Sequence, residues 1–175
     1  MMKELNPEVL AIKPSGIRKF FDLVSEMKDA ISLGVGEPDF DTPWHIREEG
    51  IHSLEKGRTF YSSNAGLMEL REEISRKVES QHGVSYNAKN EVMITVGGSE
   101  AIDLAMRVMI LPGDEVLIPE PCYVSYLPCA RMAYGVPVPI PLEEKDEFRL
   151  TPEKLEAAIT EKSKLLILPF PNNPT

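Results

Sequence analysis

From residue 91 onward, short apolar runs alternate with amphipathic stretches in a regular order. Runs of apolar and β-branched residues mark strands, and apolar residues spaced three and four apart mark one face of a helix. By these spacings the chain predicts strands over 92–96, 115–119, 136–142 and 164–169, with helices over 99–110, about 124–134 and 152–161 between them. A helix between successive strands returns the chain so that the strands run parallel, which predicts an α/β fold with a mostly parallel sheet.

The first half is less regular. Ile17, Phe20, Phe21, Val24 and Met27 share one face of a helix over 16–28, and Ala30 to Pro38 reads as a short strand entering a glycine-rich turn. Thr42 and Pro43 predict an N-cap followed by proline at the first helical position, with that helix ending at Gly57. Leu67, Leu70, Ile74 and Val78 define a helix over 67–82, and Gly83 stands where a left-handed C-cap is expected. In the strand over 136–142, Pro137, Pro139 and Pro141 occupy alternate positions, so one side has no N–H to donate. That pattern predicts an edge strand whose proline side faces no neighbour.

With 175 residues, 42% of them hydrophobic, the chain has the material for one core, either as one domain or as part of a larger one. It ends at Asn173-Pro174-Thr175, soon after the apolar run Leu165-Leu166-Ile167-Leu168, so a piece of a longer polypeptide is expected. A net charge of −9 opposes nucleic acid, which is held by clustered Lys and Arg. Charges interrupt the apolar residues near the start, and no run of about eighteen apolar residues occurs; neither a signal peptide nor a membrane span is expected, and a cytoplasmic location follows by default. Cys122 and Cys129 match no metal or redox spacing, and His45, His52 and His82 lack partners at ligand spacing, so no metal site is expected.

Composition leaves the chemistry to three predicted strand exits. The first is Val96-Gly97-Gly98-Ser99-Glu100, where glycines let an anion approach the first-turn N–H groups of a helix and Ser99 adds a hydroxyl donor. Ser99 as a simple helix cap explains the same residues. Glu100 suits the helix dipole but repels a phosphate, so only its backbone is expected to serve. A dinucleotide site is disfavoured because the glycines lack the G-x-G-x-x-G arrangement, although Glu120 lies about where a ribose-binding acid would stand. The second exit carries Tyr123 among Pro119 and Pro121; its ring either lies against a flat cofactor or packs under the loop. The third carries Asn173, whose amide can donate to a phenolate oxygen or form an ordinary Asn-Pro turn.

A phosphate cradle, a stacking ring and an amide, in that order, resemble the class I and II aminotransferase family of fold-type I pyridoxal-phosphate enzymes. Further matches are the run from Leu33 through Gly36-Glu37-Pro38-Asp39 to Pro43, the run from Tyr61 through Asn64-Ala65-Gly66-Leu67 to Arg71, and the terminal Asn172-Asn173-Pro174-Thr175. The resemblance implies a three-layer αβα arrangement, with residues 1–44 as an N-terminal arm and small-domain segment and 45–175 as part of the large cofactor domain. It implies pyridoxal 5'-phosphate held by Gly98, Ser99 and Glu100 at the phosphate, Tyr123 on the ring and Asn173 at the phenolic oxygen. It further implies Gly36 near the substrate carboxylate and Tyr61 reaching the phosphate of a neighbouring subunit, hence a homodimer with shared sites. The Schiff-base lysine is expected beyond Thr175, so the 175 residues alone are expected to be inactive. Transfer of an amino group between an amino acid and a 2-oxo acid is the implied reaction; a carbon–sulfur or other lyase, and a ligand-sensing module that lacks the lysine, are the alternatives.

Overall fold

The structure, a computed structural model, describes residues 4–13, 16, 27 and 40–173. The helix expected over 16–28, apart from two of its residues, and the strand and turn from Ala30 to Pro38 lie outside the described residues. In chain order the elements are α1 (Pro7–Leu10), α2 (Trp44–Glu55), α3 (Met68–His82), α4 (Gly98–Met109), β1 (Glu115–Glu120), α5 (Tyr126–Met132), β2 (Val136–Pro141), a 3-10 turn (Glu144–Asp146), α6 (Pro152–Ala158) and β3 (Ser163–Leu166). The described residues belong to two compact units, one within 1–36 and 98–175 and the other within 37–97.

In the first unit, β1 is the middle of a three-stranded sheet ordered β2-β1-β3, and both pairings are parallel. This is the α/β architecture that the alternation of apolar runs predicts. Its apolar residues leave β1 with no polar face: Val116 and Ile118 are 0% exposed and Leu117, on the opposite side, 3%. The Val116–Ile118 face packs on Met106 and Ile110 at the end of α4 and on Cys129, Ala130 and Ala133 along α5. Burial of an aliphatic side chain of this size contributes about 1.5–3 kcal/mol, so this layer fixes where β1 ends and hence where the following loop begins.

The proline-rich strand lies at the sheet edge among the described residues. Val136 N–H donates to the Asp114 carbonyl at 2.8 Å and Leu142 N–H to the Glu120 carbonyl at 2.7 Å, so the even positions face β1 and the prolines face away. Helices α5 and α6 and strand β3 are each at least two residues shorter than the spacing predicts. Helix α5 starts only at Tyr126 because the preceding residues form a turn in which Tyr126 N–H bonds the Tyr123 carbonyl at 3.2 Å. Helix α6 stops at Ala158, as Ile159 is extended and the next residues join β1: Glu115 N–H reaches the Lys162 carbonyl at 2.8 Å and Thr160 Oγ1 bonds Glu115 Oε2 at 2.6 Å. Strand β3 ends at Leu166, with one further bond from Ile167 N–H to the Leu117 carbonyl at 3.0 Å before Pro169, which has no N–H.

In the second unit, α2 begins at Trp44. Pro43, rather than Thr42, is the N-cap, because its carbonyl accepts the Ile46 and Arg47 N–H groups at 3.0 and 3.2 Å. Helix α3 ends as its sequence requires, at Gly83 with φ 69°. The segment over 92–96 joins no ladder among the described residues and is not a strand there; Ile94 N–H donates to the Ala65 carbonyl at 3.0 Å. A short run of apolar and β-branched residues fits an extended segment equally well with or without a neighbouring strand.

Arg71, a charged position between apolar ones in α3, is buried at 4% exposure. Its Nη1 donates to the carbonyls of Ala88 and Lys89 at 3.1 and 3.2 Å, tying the helix to the turn that follows it. Bonds from a charged donor contribute about 1.5–3 kcal/mol. Arg71→Met in the full-length protein is expected to lower unfolding free energy by about that amount, read as a lower denaturant midpoint at unchanged slope.

Candidate active site

Strand β1 delivers the chain to Glu120, and Pro121, Cys122 and Tyr123 follow within the turn that starts α5. The Tyr123 phenol oxygen lies 3.2 Å from Ser99 Oγ in the first turn of α4, so two regions 24 residues apart meet through their hydroxyls. The ring of Tyr126 stands edge-on to that of Tyr123, with centroids 5.6 Å apart and planes at 80°, an arrangement aromatic quadrupoles favour. Tyr126 packs against the core of the sheet, so the edge contact sets the tilt of the more accessible ring from a rigid base.

The two phenols differ in acidity. Hydrogen bonding from the Ser125 side chain, then from Ser99, holds the Tyr123 phenol below its ordinary range, because both favour the ionised oxygen. Burial pushes the Tyr126 phenol up. Burial likewise raises the thiols of Cys122 and Cys129, which makes neither a nucleophile at neutral pH.

The exit of β3 is tied to that of β1. Asn172 Nδ2 donates to the Pro121 carbonyl at 3.0 Å, holding the two loops side by side. Asn173, the next residue, is exposed.

At the start of α4 the decisive observation concerns Gly98. Its φ is outside the left-handed region, and a Cβ placed on it would meet nothing within 4 Å. Neither backbone strain nor crowding within the chain demands glycine there, whereas a ligand approaching the first-turn N–H groups would. Ser99 is exposed beside it, and the half-buried ring of Tyr123 is within hydrogen-bond reach. A phosphate-bearing flat molecule fits this set: glycine for close approach, hydroxyl and helix terminus for the anion, and an aromatic ring alongside.

The structure thus joins Ser99, flanked by Gly98 and Glu100, to Tyr123, and brings Asn173 to the neighbouring strand exit through Asn172. Tyr61 belongs to the second unit, where it is fully exposed, and Gly36 lies outside the described residues. Ser125, Tyr126 and Asn172 are the contributors that sequence reasoning misses. Ser125 and Tyr126 were within reach of it, since both follow Tyr123 in the same proline-flanked loop. Among the described residues there is no cluster of potential metal ligands, and no helix is long and apolar enough to cross a membrane.

Parallel strands whose carboxyl-end loops converge on a helix N-terminus define an α/β ligand-binding domain. The chain belongs to the aminotransferase class I and II family, whose model matches residues 28–175. It is 50% identical over 175 residues to a putative aminotransferase, YugH, of Bacillus subtilis, covering 100% of this chain and 45% of the relative. It is 44% identical over 171 residues to an aromatic-amino-acid aminotransferase of Thermococcus litoralis, covering 98% of this chain and 44% of the relative. A solved aspartate aminotransferase from Thermus thermophilus with maleate superposes with a TM-score of 0.91 at 37% identity, over 99% of this chain and 46% of that one. The chain therefore spans slightly less than half the length of these relatives.

Proposed function

We propose that the full-length protein is a pyridoxal-phosphate-dependent aminotransferase that moves an amino group between an amino acid and a 2-oxo acid. The observation that supports this reading is the 3.2 Å contact between Ser99 Oγ and the Tyr123 phenol, which sets an aromatic ring beside a helix N-terminus in a member of this family.

Bound pyridoxal 5'-phosphate supplies the electron sink and the carrier for the amino group. The backbone N–H groups at Gly98, Ser99 and Glu100, with the Ser99 hydroxyl, bind its phosphate where the helix dipole favours negative charge. Tyr123 lies against the pyridine ring, excluding water from that side. The Asn173 amide donates to the phenolic oxygen and stabilises its ionised form without adding charge. Gly36 offers the substrate carboxylate a backbone N–H that no side chain obstructs.

The rest of the reading concerns the whole protein. Tyr61, fully exposed, reaches the phosphate of a second subunit in a homodimer with shared sites, and a lysine beyond Thr175 attaches the cofactor. Residues 1–44 form an arm and small-domain segment and 45–175 part of the cofactor domain, and the enzyme works in the cytoplasm.

Incubation of the full-length protein with an amino donor, 2-oxoglutarate and pyridoxal 5'-phosphate tests the reaction. Glutamate and the donor's 2-oxo acid should appear in equal amounts, with ping-pong kinetics. Pyruvate and ammonia without glutamate, or no reaction with any amino donor, would contradict it.

A further inference from the structure

A serine hydroxyl has one proton and two lone pairs. If Ser99 gives its proton to a phosphate oxygen, its contact with Tyr123, 3.2 Å away, can be kept only with Ser99 Oγ as acceptor and the phenol as donor. We propose that Tyr123 is a positioning residue for the cofactor phosphate as well as a ring platform, its phenol O–H fixing the Ser99 hydroxyl in the rotamer that meets the anion. This inference rests on the cofactor reading above and extends it to a task that an aromatic ring without a hydroxyl at that point could not perform.

Three features support it. Ser99 is exposed and makes its hydrogen bond to Tyr123, so the bond restricts a hydroxyl that would otherwise rotate freely. The Tyr126 edge contact at 5.6 Å holds the Tyr123 ring, and with it the phenol oxygen, against the core. The Ser125 side chain, two residues on, also lowers the pKa of the Tyr123 phenol, which favours its acting as the donor. The phenol then donates to Ser99 and Ser99 to the anion, and each bond strengthens the next.

The test compares two ligands that share a ring and differ in the phosphate. Dissociation constants for pyridoxal 5'-phosphate and for pyridoxal are measured by equilibrium dialysis on the full-length protein and on its Tyr123→Phe, Ser99→Ala and doubly substituted variants. Phenylalanine keeps the stacking face and removes the O–H. Tyr123→Phe should weaken pyridoxal 5'-phosphate about three- to ten-fold, the effect of one hydrogen bond, and leave pyridoxal unchanged. The Tyr123→Phe effect should vanish in the Ser99→Ala background, the non-additivity expected of two residues acting through one contact. Equal weakening of both ligands, no weakening of either, or full additivity would overturn the positioning role while leaving cofactor binding intact. A full-length protein that binds neither ligand would overturn the cofactor reading itself, and this proposal with it.

Discussion

Gly66→Ala in the full-length protein is expected to lower unfolding free energy by about 2–5 kcal/mol, combining a strained backbone with an overpacked contact. Gly66 has φ +90°, and a Cβ there would lie 2.6 Å from both Cβ and Cγ1 of Ile94. Ile94 cannot swing aside at its Cβ without moving its backbone, which is held by the bond from its N–H to the Ala65 carbonyl. Gly57→Ala separates the two causes. Gly57 also has positive φ, +65°, but nothing lies within 4 Å of its added Cβ. That variant should lose only the conformational part, about 1–2 kcal/mol. Equal losses in the two variants, read from denaturant midpoints, would show that the close approach to Ile94 carries no energy.

Gly98→Val should have the opposite signature, with stability kept and the ligand lost. The added side chain meets no protein atom within 4 Å of its Cβ, and leaving glycine in a helix is mildly favourable, so the unfolding midpoint should move by no more than about 1 kcal/mol. The same methyl groups would stand where a phosphate must approach the helix terminus. Loss of two charge-assisted hydrogen bonds at about 1.5–3 kcal/mol each corresponds to a fall in pyridoxal 5'-phosphate affinity on the order of 100-fold or more. A folded variant that binds the cofactor as the parent does would remove Gly98 from the site.

What the sequence discloses follows from how local each physical cause is. The edge position of β2 is legible because a missing proline N–H is a covalent property of the residue, and Gly83 ends α3 because few other residues tolerate φ 69°. The central strand is legible because its apolar run has no polar face to offer water. Arg71 is not, since a long side chain folding inward to two carbonyls leaves no trace in a periodic pattern. The segment over 92–96 misleads for the converse reason: its pattern describes a pleated backbone, whereas a strand also needs a partner.

The candidate site divides in the same way. Ser99 and Tyr123 stand out separately, each as a functional group at a predicted strand exit, but the bond between them depends on side-chain rotamers that the packing of Tyr126 selects. Asn172 is hidden next to Asn173 because one amide is indistinguishable from the other until the fold brings Pro121 within 3.0 Å of the first.

The most direct measurement is a crystal structure of the full-length protein grown with pyridoxal 5'-phosphate. The phosphate is expected within about 3 Å of Ser99 Oγ and the N–H groups starting α4, with the pyridine ring lying against Tyr123. A cofactor bound elsewhere, or bound with Ser99 and Tyr123 both out of contact, would contradict it.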